Sequence, residues 1–264
     1  MSTISGIVAL AAYLITQILL LVRMRRGGLL AVALLAWGVG LLAHGGLLSR
    51  TLLTADGLDL NLYHALSAIA WLVSALLFFS SLREPQEGLS ALVLMLAAVI
   101  IALQLLLPDL RPHPVAAGPG LQAHILSSLL AYALLLLAAV QAAIMGYQDW
   151  HLHHHQLRGW VRYLPPLTQM ERFLFQLIGL GFALLTVALV TGWLYAGDLF
   201  APHQVHKTVL SLAAWLLFGG LLLGHAVAGW RGMTAVRWTL GGFTLLLLGY
   251  LGSKFVQEVI LGPA

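Results

Sequence analysis

Eleven histidines and no cysteine stand in this chain of 264 residues. Without a thiol there is no disulfide, no thiolate metal site, no thiol redox chemistry and no C-x-x-C-H haem attachment. Imidazole is what remains. A neutral imidazole nitrogen ligates haem iron and several transition metals. His44, His64, His124 and His206 each lie near an end of an apolar run, His113 and His203 lie between runs on that same side, and His225 lies on the other side with His151, His153, His154 and His155. Two imidazoles from two helices are the axial ligand set of one haem. Each of these residues taken singly also reads as a helix cap or an interfacial side chain, so both readings stand.

His206 and His225 share one apolar run and are 19 residues apart. At 1.5 Å per residue that is about 28 Å, roughly the thickness of the hydrocarbon. They serve two sites or bracket one helix, but they do not hold one ligand between them. The run His153-His154-His155 is a short tract of a kind that can bind metal. It sits in a basic segment beside aromatic residues, as an ordinary interface loop does.

The elements that must position these side chains are membrane helices. Hydrophobic residues are 61% of the chain and charged residues 8%, with mean hydropathy +0.95. A soluble domain carries about 25% charged residues, so a water-clad enzyme, a disordered chain and a nucleic-acid binder are excluded. Eight apolar runs are long enough to span a bilayer: Ile4–Val22, Leu29–Leu48, Leu62–Leu82, Leu89–Leu107, Leu121–Met145, Phe173–Tyr195, Val205–Ala228 and Val236–Ile260. They are continuous, Leu/Ala-rich and too long for barrel strands. The expected fold is an all-α polytopic bundle of eight transmembrane helices, a single integral membrane domain over 1–264. Its longest connection is the loop Gly146–Arg172.

The first run has no basic stretch before it and is not read as a cleavable signal peptide. Its basic cluster, Arg23, Arg25 and Arg26, follows it and places the N-terminus outside. Alternation from there puts nine Lys/Arg inside and four outside, as the positive-inside rule requires. Both termini then face outward, and the basic residues need no acidic partner. No acidic or basic residue lies in the middle of a span, which disfavours a pump built on a carboxylate relay. Trp37, Trp71, Trp193, Trp215 and Trp230 read mostly as interfacial. Gly38/Gly40, Gly179/Gly181, Gly219/Gly220 and Gly241/Gly242 read as sites of close helix packing.

Two segments carry a family resemblance. One runs from Pro119-Gly-Leu-Gln-Ala-His124 to Tyr132-Ala. The other runs from His206-Lys-Thr through Trp215 and His225 to Gly229-Trp-Arg-Gly232, with Gly249-Tyr-Leu-Gly-Ser253 in the last span. Together they resemble the CcsA-type cytochrome c assembly family of haem-handling membrane proteins, in its short HemX-like or YpjD-type inner-membrane branch. The resemblance covers about 60–260 and is strongest over 119–260. It implies that His124 matches the first outer haem-ligand histidine and His225 the inner, intramembrane one.

Two parts of that pattern are missing. Asp198-Leu-Phe-Ala-Pro-His203-Gln-Val-His206 stands where the family's tryptophan-rich outer loop should end. The chain reads to Ile260-Leu-Gly-Pro-Ala264 without the second outer ligand histidine. Thioether formation is therefore not expected. His206, His203 or His64 is left to supply the second axial ligand, with His206 the leading choice.

The expectation is a protein of the bacterial inner membrane that holds haem b non-covalently near the outer face through His124 and His206. His225 would form an inner entry site, with Arg231 and Arg237 beside the haem carboxylates. Its expected partners are the lipid bilayer and other cytochrome assembly or haem-pathway proteins, with no nucleic acid. Two other readings stand beside it. One is a non-catalytic partner or regulator without haem, using Gly146–Arg172 as its contact surface. The other is a metal or small-molecule transporter, against which the lack of buried acids and of inverted repeats counts.

Overall fold

A computed structural model of the chain describes residues 2–54, 57–83, 86–107, 114–115, 118–154, 164–195 and 205–255. His113, His155, Trp160, His203 and the expected end of the last span at Ile260 lie outside the described residues. Eight helices are long and apolar enough to cross a membrane. Large apolar side chains on their outer faces are open, Leu42 at 81% and Leu106 at 82% among them. Such faces are stable only against lipid, where the hydrocarbon replaces the missing protein core.

The chain divides into two compact units, Met1–Ala116 and Ala117–Gly262. The first holds α1 (Ser2–Arg26), α2 (Leu30–Thr51), α3 (Leu62–Ser81) and α4 (Glu87–Leu106). Three short strands form an antiparallel sheet in the order β1 (Leu53–Thr54), β2 (Gly57–Asp59) and β3 (Pro114–Val115). This sheet was not expected from the sequence, because strands of two or three residues carry no period. α1 turns into α2 through Gly27, Gly28 and Leu29, all at positive φ.

The helices of this unit meet through buried polar groups as well as apolar ones. Trp37 is fully buried and donates Nε1–H to Ser74 Oγ at 2.9 Å, so it is a core residue and not an interfacial one. Trp71 donates to the Leu41 carbonyl at 2.9 Å. Arg23 pairs with Glu87, joining α1 to α4. In the second unit Arg231 lies 3.7 Å from Glu171. The expectation that the basic residues need no acidic partner is corrected at these two positions. Arginine at a membrane edge gains from a carboxylate in reach whatever its role in orienting the chain.

The second unit holds α5 (Pro119–His153), α6 (Leu167–Tyr195), α7 (Val205–Ala228) and α8 (Met233–Leu247), which runs through a π-helical turn (Leu248–Gly252) into α9 (Ser253–Phe255). Its core is built from Leu135, Leu174, Ile178, Phe218 and Leu221, none measurably exposed. At 35 residues α5 is about 52 Å long and outruns the hydrocarbon. The expected loop Gly146–Arg172 is thus helical at both ends. Nothing in Gly146–His153 breaks a helix except one glycine, and a Cβ at Gly146 would sit 3.2 Å from Val236 of α8. His151, His153 and His154 each donate Nδ1–H to the carbonyl four residues back, at 2.8–2.9 Å.

In three of the noted pairs one glycine is packed tightly and the other is not; in the fourth both are, with Gly219 against Phe182 and Gly220 against Trp238. Gly40 faces Tyr13, Gly181 faces Leu135 and Gly242 faces Phe218, while nothing comes within 4 Å of Gly179. Small residues let helix backbones approach, and that approach supplies the van der Waals attraction that lipid cannot replace. A Cβ at Gly40 would lie 2.6 Å from the Tyr13 ring, whereas one at Gly46 meets nothing within 4 Å. Gly40→Ala should destabilise the protein by about 1–3 kcal/mol through overpacking. Gly46→Ala should leave it unchanged or slightly stabilised, as read by thermal melting in detergent.

Candidate functional site

His124 lies on the second turn of α5, half-buried. Its Nδ1 is 2.8 Å from the carbonyl oxygen of Ala188 on α6. A carbonyl only accepts, so Nδ1 carries the proton and, in the neutral ring, Nε2 carries the lone pair. Among the described residues nothing bonds to Nε2. Gly192 makes room for the ring: a Cβ there would sit 2.9 Å from His124 Cε1 and 3.1 Å from Nδ1. An imidazole held by one nitrogen on a main-chain carbonyl, with the other left open, is how metal-ligating histidines are oriented.

His206 is the second residue of α7 and is exposed. Its level along the bundle follows from the partners of α6 and α7. Phe175 stacks on His225, Phe182 stacks on Trp215, and Trp215 donates to Thr186 Oγ1 at 2.9 Å. The two helices run antiparallel, so the nine residues from Trp215 back to His206 match those from Thr186 forward to Tyr195. His206 therefore stands at the same end of this unit as His124, roughly 5–10 Å farther along the axis than the Ala188–Gly192 cradle. Among the described residues His206 makes no hydrogen bond, ion pair or ring contact.

At the opposite end of α7, His225 is held by two contacts. Its Nδ1–H donates to the Trp230 carbonyl at 2.8 Å, and its ring lies on Phe175 with centroids 3.6 Å apart and planes at 19°. The segment Gly229-Trp-Arg-Gly232 explains this. Gly229 adopts φ 66°, which ends α7 in a left-handed turn, and Trp230 N–H reaches back to the Gly224 carbonyl at 3.2 Å. This return closes the end of α7, and it brings the Trp230 carbonyl over His225. Gly224 has no Cβ because the Trp230 indole lies against it. Glu171 on α6 accepts from Gly232 N–H at 3.1 Å, anchoring the turn before α8. Arg231 meets the same carboxylate, so its nearest anion is Glu171. Arg237 is exposed on α8.

His64 belongs to the first unit. It is 8% exposed, and Nδ1 lies 3.1 Å from Asp59 Oδ2. Asp59 is buried in β2 and also takes Asn61 N–H and Nδ2–H at 3.3 Å each. Asn61 caps α3 by accepting His64 N–H at 3.0 Å. Sequence reasoning noticed His64 and missed Asp59. The signal available was Asp59-x-Asn61-x-x-His64, an Asx pair at a helix start with the histidine at its third position.

His44 is fully buried and both of its ring nitrogens are engaged, Nδ1 with the Tyr13 hydroxyl at 3.3 Å and Nε2 with Ser67 Oγ at 3.0 Å. It has no nitrogen to give a ligand. The four span-end histidines thus divide into an internal polar core residue, a carboxylate partner, a cradled open imidazole and an exposed one. Tyr132, which follows His124 by eight residues on α5, is 7% exposed, and its hydroxyl has no hydrogen-bond partner among the described residues. It packs against Phe243 and Tyr250. No group of three or more His, Asp or Glu side chains suited to a metal ion occurs among the described residues.

The model of the cytochrome c assembly protein family matches residues 28–261. The chain is 31% identical over 259 residues to the inner membrane protein YpjD of Escherichia coli K12, covering 97% of this chain and 98% of that one. It is 36% identical over 237 residues to a 28.8 kDa protein of Azospirillum brasilense, covering 86% of each. A shorter match, 29% identical over 91 residues, links 34% of this chain to 27% of the cytochrome c biogenesis protein CcsA of Gloeobacter violaceus. No solved structure matches the chain.

Gly229→Ala tests the cap that holds His225. A Cβ at φ 66° costs about 1 kcal/mol. The variant should melt at a lower temperature than Gly179→Ala, a change made in open space.

Proposed function

This chain is a multi-pass inner-membrane member of the cytochrome c assembly protein family, and on that premise we propose that it binds haem b non-covalently for haem-protein biogenesis. The observation that carries this reading is the His124 imidazole. It is locked through Nδ1–H onto Ala188, cradled at Gly192 and open at Nε2. These residues suit the group: a fixed neutral imidazole with a free lone pair is a ready axial ligand, and an exposed imidazole stands at the same end on α7.

In this reading His124 and His206 would hold the haem iron at the outer face of the membrane. The chemistry supplied by the bound group is iron–imidazole ligation and one-electron redox. The protein's own part is to orient. Ala188 keeps the His124 tautomer, and Gly192 keeps space beside the ring. His225, fixed by Trp230 and Phe175, serves as the inner entry ligand. Arg237, exposed on the second turn of α8, would be suited to a haem carboxylate, since Arg231 already faces Glu171. His64, backed by Asp59, remains a candidate ligand of the first unit. The proposed role is accessory: the chain carries haem or passes it on to other assembly or haem-pathway proteins and forms no thioether bond.

The test is the visible spectrum of the protein purified without an affinity His-tag from haem-replete cells, oxidised and then reduced with dithionite. A Soret band with sharpened reduced bands is expected. His124→Ala should lower haem occupancy at least several-fold, and His206→Ala should lower it or convert the spectrum to that of a single-imidazole haem. Gly192→Val, which crowds the ring without removing it, should do part of the same. A featureless spectrum even after added haem would overturn this reading and leave a haem-free membrane partner or regulator.

A further inference from the structure

The first unit contains a line of buried polar side chains that ligation by His124 and His206 does not use. On α3, His64, Ser67, Trp71, Ser74, Phe78 and Ser81 recur at steps of three and four residues, so they share one face. Ser67 and Ser74 are fully buried, and Ser81 is 4% exposed. Ser67 Oγ lies 3.0 Å from His44 Nε2 and His44 Nδ1 lies 3.3 Å from the Tyr13 hydroxyl, while Ser74 Oγ accepts Trp37 Nε1–H at 2.9 Å. Ser67, His44 and Tyr13, from three helices, therefore form one hydrogen-bonded chain through the apolar interior. Each of them both donates and accepts.

Ionisable groups close the two ends. At one end the buried pair Asp59 and His64 stands one helical turn from Ser67. At the other end Ser81 Oγ is 3.4 Å from Ser90 Oγ, and one turn from Ser90 is Glu87, paired with Arg23. From His64 to Ser81 is about 26 Å of helix, close to the hydrocarbon thickness. Breaks remain from His64 to Ser67, from Tyr13 to Ser74, from Ser74 to Ser81 and from Ser90 to Glu87; along a helix axis the first is about 4.5 Å and the third about 10 Å.

We propose that the first unit conducts protons along the line Asp59–His64–Ser67–His44–Tyr13–Ser74–Ser81–Ser90–Glu87, with transient waters bridging its breaks. Protons are the cargo because the middle of the line offers no cage of carboxylates or carbonyls for a dehydrated cation. An imidazole flanked by two hydroxyls takes a proton on one nitrogen and releases one from the other, so proton number balances at every step. The titratable and charged side chains on the elements packed here are Tyr13, Arg23, Arg25 and Arg26 of α1, His44 and Arg50 of α2, Tyr63 and His64 of α3, and Glu87 of α4, with Asp59 in β2. Of these only His44 and Tyr13 lie midway. The line is independent of any haem at His124.

The test uses the full protein in liposomes loaded with a pH-reporting dye, with a potassium diffusion potential as the driving force. Internal pH should change several-fold faster than in protein-free vesicles, and replacing sodium by another external cation should not alter the rate. Tyr13→Phe, which removes one oxygen, and His44→Phe should each cut the flux at least tenfold. Trp37→Phe, which removes a donor to Ser74 beside the line, should stay within twofold of the parent. The proposal falls if the parent protein is no faster than empty vesicles. It falls equally if Tyr13→Phe, folded as judged by its melting temperature, conducts like the parent.

Discussion

Inside hydrocarbon no water answers an unpaired N–H or C=O, and this single constraint organises the molecule. It makes every span a helix, and it governs each imidazole that the helices carry inward. A buried or half-buried ring must give its N–H to something. His124 gives it to Ala188, His225 to Trp230, and His44 is engaged at both nitrogens by hydroxyls. Of these three, the two that use a main-chain carbonyl keep a second nitrogen for other work. His44, held between two side-chain hydroxyls, keeps none. Chemistry therefore divides among the histidines by the partner each one has.

Glycine is what lets those partners reach. Gly192 clears the space that the His124 ring fills, and Gly224 clears the space that the Trp230 indole fills. Gly229 alone turns the chain left-handed so that the Trp230 carbonyl comes back over His225. Glu171 then holds the far side of that turn through Gly232 N–H. The segment Gly229-Trp-Arg-Gly232 is thus a helix stop that serves as a histidine clamp. Trp230 acts through its main chain at the ring and through its side chain in packing.

The two units use buried polarity differently. In the first, polar side chains of α1, α2 and α3 are joined side by side along a helix face. An interhelical hydrogen bond in a membrane is worth about 0.6 kcal/mol on average, so such a set contributes only a few kcal/mol of cohesion. In the second unit the helices pack mainly through leucine, phenylalanine and glycine. The polar contacts there are confined largely to the ends, where the open imidazoles stand.

The number and apolar character of the spans were determined by the sequence alone, because twenty apolar residues in a row have one stable form in a bilayer. The family was legible too, since His124…Tyr132, His225 and Gly229-Trp-Arg-Gly232 are strings of unusual residues at set spacings. Those strings do not say which nitrogen of His124 is free, that Asp59 meets His64, or that Trp37 is core and not interface. They do not say that α5 continues to His153 in place of a loop. These are contacts between residues 5 to 64 positions apart, made by side chains whose direction depends on the register of one helix against another. Periodicity names the face of a helix; only packing decides what that face touches. Histidine spacing could therefore gather the candidates, while the tertiary structure decided which imidazole stayed open and which was consumed in holding the helices together.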